Sequence, residues 1–183
     1  MLDFLKYDKI DIVKGVTLLM QMSDDCKKKC QIFTPEENVK ELLNWVGYNK
    51  DLYGKKVIEP SCGQGNILIE VIERYILDCL NKKISKDKIR EGLARDIYAI
   101  EYDPAHYTIC LDNVNSILHK YNIDRINWNI YCEDSLKKNI DMKFDYVVGN
   151  PPYISYKMLD ENTRKYVRKN FEVCKQGKFD YCY

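Results

Sequence analysis

The chain has 183 residues, 45% hydrophobic and 31% charged, a balance that supports a soluble, core-forming domain and excludes an intrinsically disordered one. Its 29 basic and 28 acidic residues leave a net charge of +1, which excludes a histone-like basic protein and an acidic tail but leaves room for a local nucleic-acid patch. Apolar stretches such as Val16 to Met20 are too short to span a bilayer, and Asp3, Lys6 and Asp8 interrupt the N-terminus before a signal-type apolar run forms, so no membrane association and a cytoplasmic location are expected.

Residues 1–30 read as an irregular or partly helical lead-in, and residues 31–183 as one domain. The eight cysteines (Cys26, Cys30, Cys62, Cys79, Cys110, Cys132, Cys174 and Cys182) form no C-x-x-C pair. Several lie in apolar patterns where a thiol behaves as a small hydrophobe, and all eight are expected to be reduced, with no metal site. Thr34-Pro35-Glu36-Glu37 predicts a helix start: Thr34 as N-cap, Pro35 at the first helical position, Glu37 completing a capping box. Val39, Leu42, Leu43 and Val46 follow at helical spacing, and Gly47 ends the run.

Strands and helices then alternate. Residues 56–59 predict a strand, 66–80 a helix, 81–95 a charged connector with at most a helical turn, and 96–101 a second strand. Asp103-Pro104 opens a helix whose expected buried face carries Ile109, Cys110, Asn113, Val114, Ile117 and Leu118. Residues 129–132 and 144–148 predict the third and fourth strands. This order argues an α/β fold: a doubly wound, mostly parallel, Rossmann-like sheet with helices on both faces. Ligands of such sheets bind beyond the carboxyl ends of the strands, so the residues following each strand carry the chemistry.

The first strand runs into Glu59-Pro60-Ser61-Cys62-Gly63-Gln64-Gly65-Asn66. Gly63 and Gly65 allow close backbone approach to a ligand, beside the free N–H groups of a helix start. The missing third glycine argues against a dinucleotide fingerprint. Glu59 would repel a phosphate and suits a cation such as a sulfonium or an amino group; the competing reading is a tight turn with a surface acid. After the second strand, the Glu101 carboxylate can accept both hydroxyls of a ribose, Tyr102 can stack on an adenine ring, and Asp103 reads as an N-cap. After the third, Asp134, beside Ser135, can accept from an exocyclic amine.

The fourth strand leads into Asn150-Pro151-Pro152-Tyr153. Average residue usage gives this tetrapeptide a chance expectation of roughly one in a thousand in a chain this long. The two prolines stiffen the turn and remove two N–H donors, leaving the Asn150 side-chain oxygen and the Pro151 carbonyl as acceptors. An aromatic amine or an amide nitrogen is a poor nucleophile because its lone pair is delocalised. Two acceptors on its two N–H bonds favour a tetrahedral nitrogen and aim the lone pair at an electrophile, which must sit about 3 Å away, in line. Tyr153 would stack on the base, and an adenine in duplex DNA would have to flip out to reach the site.

In this order the four segments resemble the S-adenosylmethionine-dependent methyltransferases acting on adenine N6 in DNA. Gln31-Ile32-Phe33-Thr34-Pro35 is similar to the segment preceding the cofactor loop in the gamma-class, TaqI-like enzymes of restriction–modification systems. The resemblance implies that Phe33, Thr34 and Pro35 border the methionine end of the cofactor. Glu59, Pro60, Ser61, Gly63 and Gly65 would hold its amino-acid part, Glu101 the ribose, and Asp134, beside Ser135, the adenine. Asn150, next to the cofactor, would grip the target base with Pro151, Pro152 and Tyr153. It implies no metal and no general base; His106 and His119 read as surface residues of a helix.

The family continues with three further strands and a target-recognition domain, whereas here Tyr183 follows Phe179-Asp180-Tyr181, which looks like the start of the next motif. With four strands the last would keep a bare edge. The expectation is a truncated catalytic part, completed by a missing C-terminal half or a specificity subunit and unable alone to select a DNA site; whether a cognate restriction endonuclease accompanies it is left open by the sequence. From Tyr153 to Lys178, Lys157, Arg164, Lys165, Arg168, Lys169, Lys175 and Lys178 outnumber Asp160, Glu161 and Glu172. They read either as phosphate contacts or as a solvated helix face.

A rival family, methyltransferases of a release-factor glutamine amide, shares the Asn-Pro-Pro-Tyr motif for the same chemical reason. It usually lacks the Phe-Thr-Pro helix start and the proline after the first acid, both present here, so DNA is favoured over protein. An RNA adenine methyltransferase is a further variant. A third reading is a non-catalytic module that binds the cofactor and lends structure to a partner.

Overall fold

Four short apolar runs pair as parallel strands in a computed structural model of the chain: β1 (Val57–Glu59), β2 (Ile97–Glu101), β3 (Asn129–Cys132) and β4 (Tyr146–Val147), in the order β3-β2-β1-β4. The structure describes residues 34–152, 154 and 156–175; the lead-in, Phe33, Tyr153 and the Phe179-Asp180-Tyr181 segment lie outside the described residues. β1 and β2 are buried on both faces along their whole length, which is why they read as continuous runs rather than as alternating ones. Val57 pairs with Ile97 on one side and with Tyr146 on the other, and Tyr98 pairs with Asn129. The chain steps from β1 to β2 to β3 in one direction and returns past β1 to β4. The strand order therefore reverses between β1 and β4, where folds of this type open a crevice.

The described residues through Pro151 belong to one compact unit. Its helices are α1 (Glu36–Trp45), α2 (Asn66–Asn81), α3 (Lys86–Asp96) and α4 (Pro104–Lys120). They bury Leu43, Leu68, Ile72, Leu93 and Val114 in one cluster with Val57, Ile97, Ala99 and Ile130 of the sheet. Truncating one of these large side chains to alanine costs about 2–5 kcal/mol. Arg74 of α2 donates to the Lys40 and Tyr48 carbonyls and to the Asn44 side chain, tying α1 to α2. The opposite sheet face carries a smaller cluster, Ile58, Tyr98 and Ile100, packed by Tyr131, Ile140, Met142 and Phe144.

Helices were expected on both faces; among the described residues of this unit they form a single cluster with one face. Right-handed crossovers that step in the same direction, β1 to β2 to β3, place their helices on the same side. The β3–β4 crossover carries no helix.

Four local expectations are corrected. Residues 86–96 form a full helix, α3, rather than a connector: Ile89, Gly92, Leu93 and Asp96 make a narrow buried stripe within a charged sequence. In α4 the buried positions are Cys110, Val114 and Leu118, while Ile109 is 40% exposed, because the helix offers the core only one row at i, i+4 spacing. β4 covers only residues 146 and 147; Phe144 instead packs its ring edge-on against Tyr98 at 5.2 Å. Thr34 does not cap α1: Pro35 holds the cap position without a side-chain bond, and the Thr34 hydroxyl has another partner, described below.

Asp96 is wholly buried and collects the Tyr75 hydroxyl (2.6 Å), the Gly54 N–H (2.9 Å) and two guanidinium nitrogens of Arg95 (2.8 and 2.7 Å). This fastens the segment entering β1 to the start of β2, at the edge away from the candidate site. No helix among the described residues is long and apolar enough to cross a membrane.

In the second unit, whose described residues start at Pro152, α5 (Glu161–Asn170) is capped by Asp160, whose side chain accepts from the Thr163 N–H. Arg168 and Lys169 occupy its last turn.

Candidate functional site

β1 and β2 end side by side in Glu59 and Glu101, and β4 continues through Val148 and Gly149 into Asn150. The loop after β1 is fastened to the end of β2. The Cys62 N–H donates to the Ile100 carbonyl (3.0 Å), and the Gly63 N–H to Glu101 Oε2 (2.7 Å). Gly65 has φ +88°, and a Cβ there would lie 2.8 Å from Cys110 Sγ, so the loop meets α4 only because this residue has no side chain. Asn113 Nδ2 of α4 donates to the Gln64 carbonyl (2.9 Å), and the Cys62 and Cys110 sulfurs lie 3.8 Å apart. The Cys110 hydrogen bond, then burial, push the Cys62 thiol up, so it stays protonated.

Glu101 is 7% exposed, and its carboxylate is used twice, by the Gly63 N–H and by the Asp103 N–H at 2.8 Å. Asp103 in turn caps α4, its side chain accepting from Ala105 N–H, as expected. Tyr102 is 75% exposed, its ring open to a stacking partner.

Glu59 differs. It is 2% exposed, which excludes the surface-acid reading, and its Oε2 has no hydrogen-bond partner. The neighbouring Ser61 hydroxyl is also buried and unpartnered. Burial, then the nearby Cys110 and Glu101, raise the Glu59 carboxyl well above its usual range, opposed by a backbone hydrogen bond from Leu68. A buried polar atom without a partner costs about 1–3 kcal/mol. A ligand cation or N–H group removes that cost, so this pair fits the amino-acid part of a cationic cofactor. Gly149 lies beside them: a Cβ there would be 3.6 Å from Pro60 Cδ and 3.9 Å from Ser61 Oγ.

Thr34 and Asn150 meet. Asn150 Nδ2 donates to Thr34 Oγ1 at 3.2 Å, and Asn66 Nδ2, at the start of α2, donates to the Thr34 carbonyl at 3.4 Å. The two most distinctive motifs, 116 residues apart, thus share a hydrogen bond. The expected site residues Thr34, Pro35, Glu59 to Gly65, Glu101, Asn150 and Pro151 gather around the carboxyl ends of β1, β2 and β4. Asp134 and Ser135 follow β3, at the outer edge of the sheet. Asp134 Oδ1 accepts from the Leu136 N–H (3.0 Å) and Oδ2 pairs with Lys137 (2.9 Å). Pro152 belongs to the second unit.

Sequence reasoning missed the bracing residues Asn66, Asn113 and Cys110. Asn113 carried a signal, a polar residue on a predicted buried face; Cys110 carried none beyond its hydrophobicity.

A family model described as N-6 DNA methylase matches residues 15–183. The chain is 31% identical over 122 residues to modification methylase CviBIII of Paramecium bursaria Chlorella virus NC1A, covering 67% of this chain and 25% of the relative. It is 30% identical over 128 residues to the type I restriction enzyme MjaVII methylase subunit of Methanocaldococcus jannaschii, covering 69% of this chain and 19% of the relative. The chain thus spans a quarter or less of the length of these two curated relatives. Among solved structures, a chain assigned to the class I S-adenosylmethionine-dependent methyltransferases, from Listeria monocytogenes, superposes with a TM-score of 0.54 at 17% identity, covering 94% of this chain and 44% of that one. That likeness shows the fold.

Proposed function

This chain belongs to the N-6 DNA methylase family, and we propose that it carries the cofactor-binding and base-gripping part of an enzyme that methylates the N6 amino group of adenine in DNA. The observation that carries the proposal is the meeting of three features at the strand-order reversal: the unpartnered Glu59 carboxylate, the braced glycine loop, and Asn150 tied to Thr34.

Bound S-adenosylmethionine supplies a methyl group made electrophilic by a sulfonium. Glu59 Oε2 and the Ser61 hydroxyl take its amino-acid end, and the Gly63–Gly65 backbone lets it approach closely. Glu101, whose carboxylate has lone pairs beyond the two used in the loop, faces the ribose hydroxyls, and Tyr102 stacks on the adenine ring. Asp134 and Ser135 border the adenine. Asn150 Oδ1 and the Pro151 carbonyl accept the two N–H bonds of a flipped adenine, the base to which the resemblance also assigns Pro152 and Tyr153. Neither acceptor is basic, so the proton released from the methylated nitrogen leaves to water.

The partners in this reading are DNA and, because the match covers a quarter or less of the relatives, further methylase sequence or a specificity subunit, within a restriction–modification system. The release-factor reading is weaker, because the Thr-Pro segment usually absent from that family is here the partner of Asn150.

The test is transfer of labelled methyl from S-adenosylmethionine to unmethylated DNA, against a release factor and an RNA. DNA is expected to be labelled, and Asn150→Ala to abolish labelling while sparing cofactor affinity. Labelling of the release factor instead, or survival of turnover in Asn150→Ala, overturns the proposal.

A further inference from the structure

An asparagine side chain has two ends of nearly equal size and opposite chemistry. Asn150 helps an amine only if it presents Oδ1; with the amide reversed, its own NH2 would face the target NH2, donor against donor. Backbone shape does not decide between the two orientations, because oxygen and nitrogen fill the same space.

Thr34 tethers the amide. Its hydroxyl oxygen accepts from Asn150 Nδ2 (3.2 Å), an arrangement that leaves the oxygen end for a ligand. Thr34 is itself pinned on both sides. Its carbonyl accepts from Asn66 Nδ2 at the start of α2 (3.4 Å), and the carbonyl of the next residue, Pro35, accepts the Val39 N–H at the start of α1 (3.1 Å). The glycine loop that starts α2 is fastened to α4 by Asn113 (2.9 Å). The Asn150 amide is thus referred to α1 and α2 through one residue rather than held by its own stiff turn alone.

Resting on the reading of Asn150 as an acceptor for the target amine, we propose that Thr34 is a positioning residue for methyl transfer: it holds the amide of Asn150 in place, where its oxygen can meet the methyl-accepting NH2. This differs from bordering the cofactor, the role that the resemblance implies for Thr34. A cofactor-lining role predicts a higher KM for S-adenosylmethionine; a positioning role predicts a lower kcat. Thr34→Val keeps the shape and removes the hydroxyl, whereas Thr34→Ser keeps the hydroxyl.

The experiment has two readouts on the full chain. In 15N-resolved NMR, the Asn150 side-chain NH2 signals, assigned by their loss in Asn150→Ala, are expected to move to the position of a solvent-bonded amide in Thr34→Val and to stay in place in Thr34→Ser. In methyl transfer to unmethylated DNA, Thr34→Val is expected to lower kcat on the order of 10²-fold, the usual result of misplacing a reacting group, with little change in the cofactor KM. Thr34→Ser is expected to restore it. Unchanged Asn150 signals in Thr34→Val, an unchanged kcat, or a loss confined to KM overturns the positioning role. If the signals move as expected but the unsubstituted chain labels no DNA, the functional reading fails, and the positioning role fails with it.

Discussion

The ends of β1 and β2 make an instructive pair. Each strand finishes in a glutamate, the two strands are hydrogen-bonded neighbours, and both side chains are buried. At β2 the carboxylate is occupied by two backbone N–H groups, those of Gly63 and Asp103. At β1 one oxygen has no partner, and the adjacent Ser61 hydroxyl has none either. A buried acid whose bonds are made holds a loop in place. A buried acid with a bare oxygen stores a cost that a ligand can remove. The difference separates a brace, Glu101, from a carboxylate left open to a ligand, Glu59, within one corner of the molecule, and it adds loop shaping to the ligand role expected of Glu101.

The contrast can be broken in several ways. The largest loss of stability is expected for Gly65→Ala, on the brace: the added Cβ meets Cys110 Sγ at 2.8 Å and the backbone sits at φ +88°. Overpacking and strain together cost about 4 kcal/mol, readable as a lower urea midpoint. Next, Glu101→Ala removes two charge-assisted bonds and should cost about 3 kcal/mol by the same measurement. Glu59→Gln should behave in the opposite way, leaving the fold at least as stable near neutral pH while weakening cofactor binding. If Glu101→Ala left the midpoint unchanged, or Glu59→Gln lowered it as far, the division between brace and binding group would be wrong.

The smallest effect is a pH dependence. The folded-state pKa of Glu59 is raised, so between the unfolded value and the raised folded value the native state holds the proton more tightly than the unfolded chain does. Stability should therefore fall as pH rises above about 4.5, by at most about 1.4 kcal/mol per unit, and level off once the folded pKa is passed. Glu59→Gln should flatten that slope in unfolding curves taken across the range. A cationic ligand at the bare oxygen favours the ionised form, so its binding should release a proton and tighten with rising pH over the same window.

Much of the sheet was legible because β1 and β2 are short runs of Val, Ile, Tyr and Ala closed by an acid, and an acid at such a point has few structural uses. α3 was not legible: its four buried positions are spread through a charged sequence, and Asp96, one of the four, earns burial only through Tyr75, Gly54 and Arg95. Thr34 was identified as important for the wrong immediate reason. The residues around it favour a cap, but its hydroxyl is used by Asn150, far along the chain, and no local pattern reports such a partner. The same holds for the Gly63 N–H on Glu101, 38 residues away. Acids at strand ends could be named from the sequence; which of them was already occupied could only be seen in three dimensions.

The most direct measurement is isothermal titration of S-adenosylmethionine into the chain and into its Glu59→Gln and Asn150→Ala variants. The account predicts binding by the unsubstituted chain, a loss of roughly tenfold or more in Glu59→Gln, equivalent to at least about 1.4 kcal/mol, and nearly unchanged affinity in Asn150→Ala. Equal affinity in Glu59→Gln, or no heat at millimolar cofactor, would contradict it.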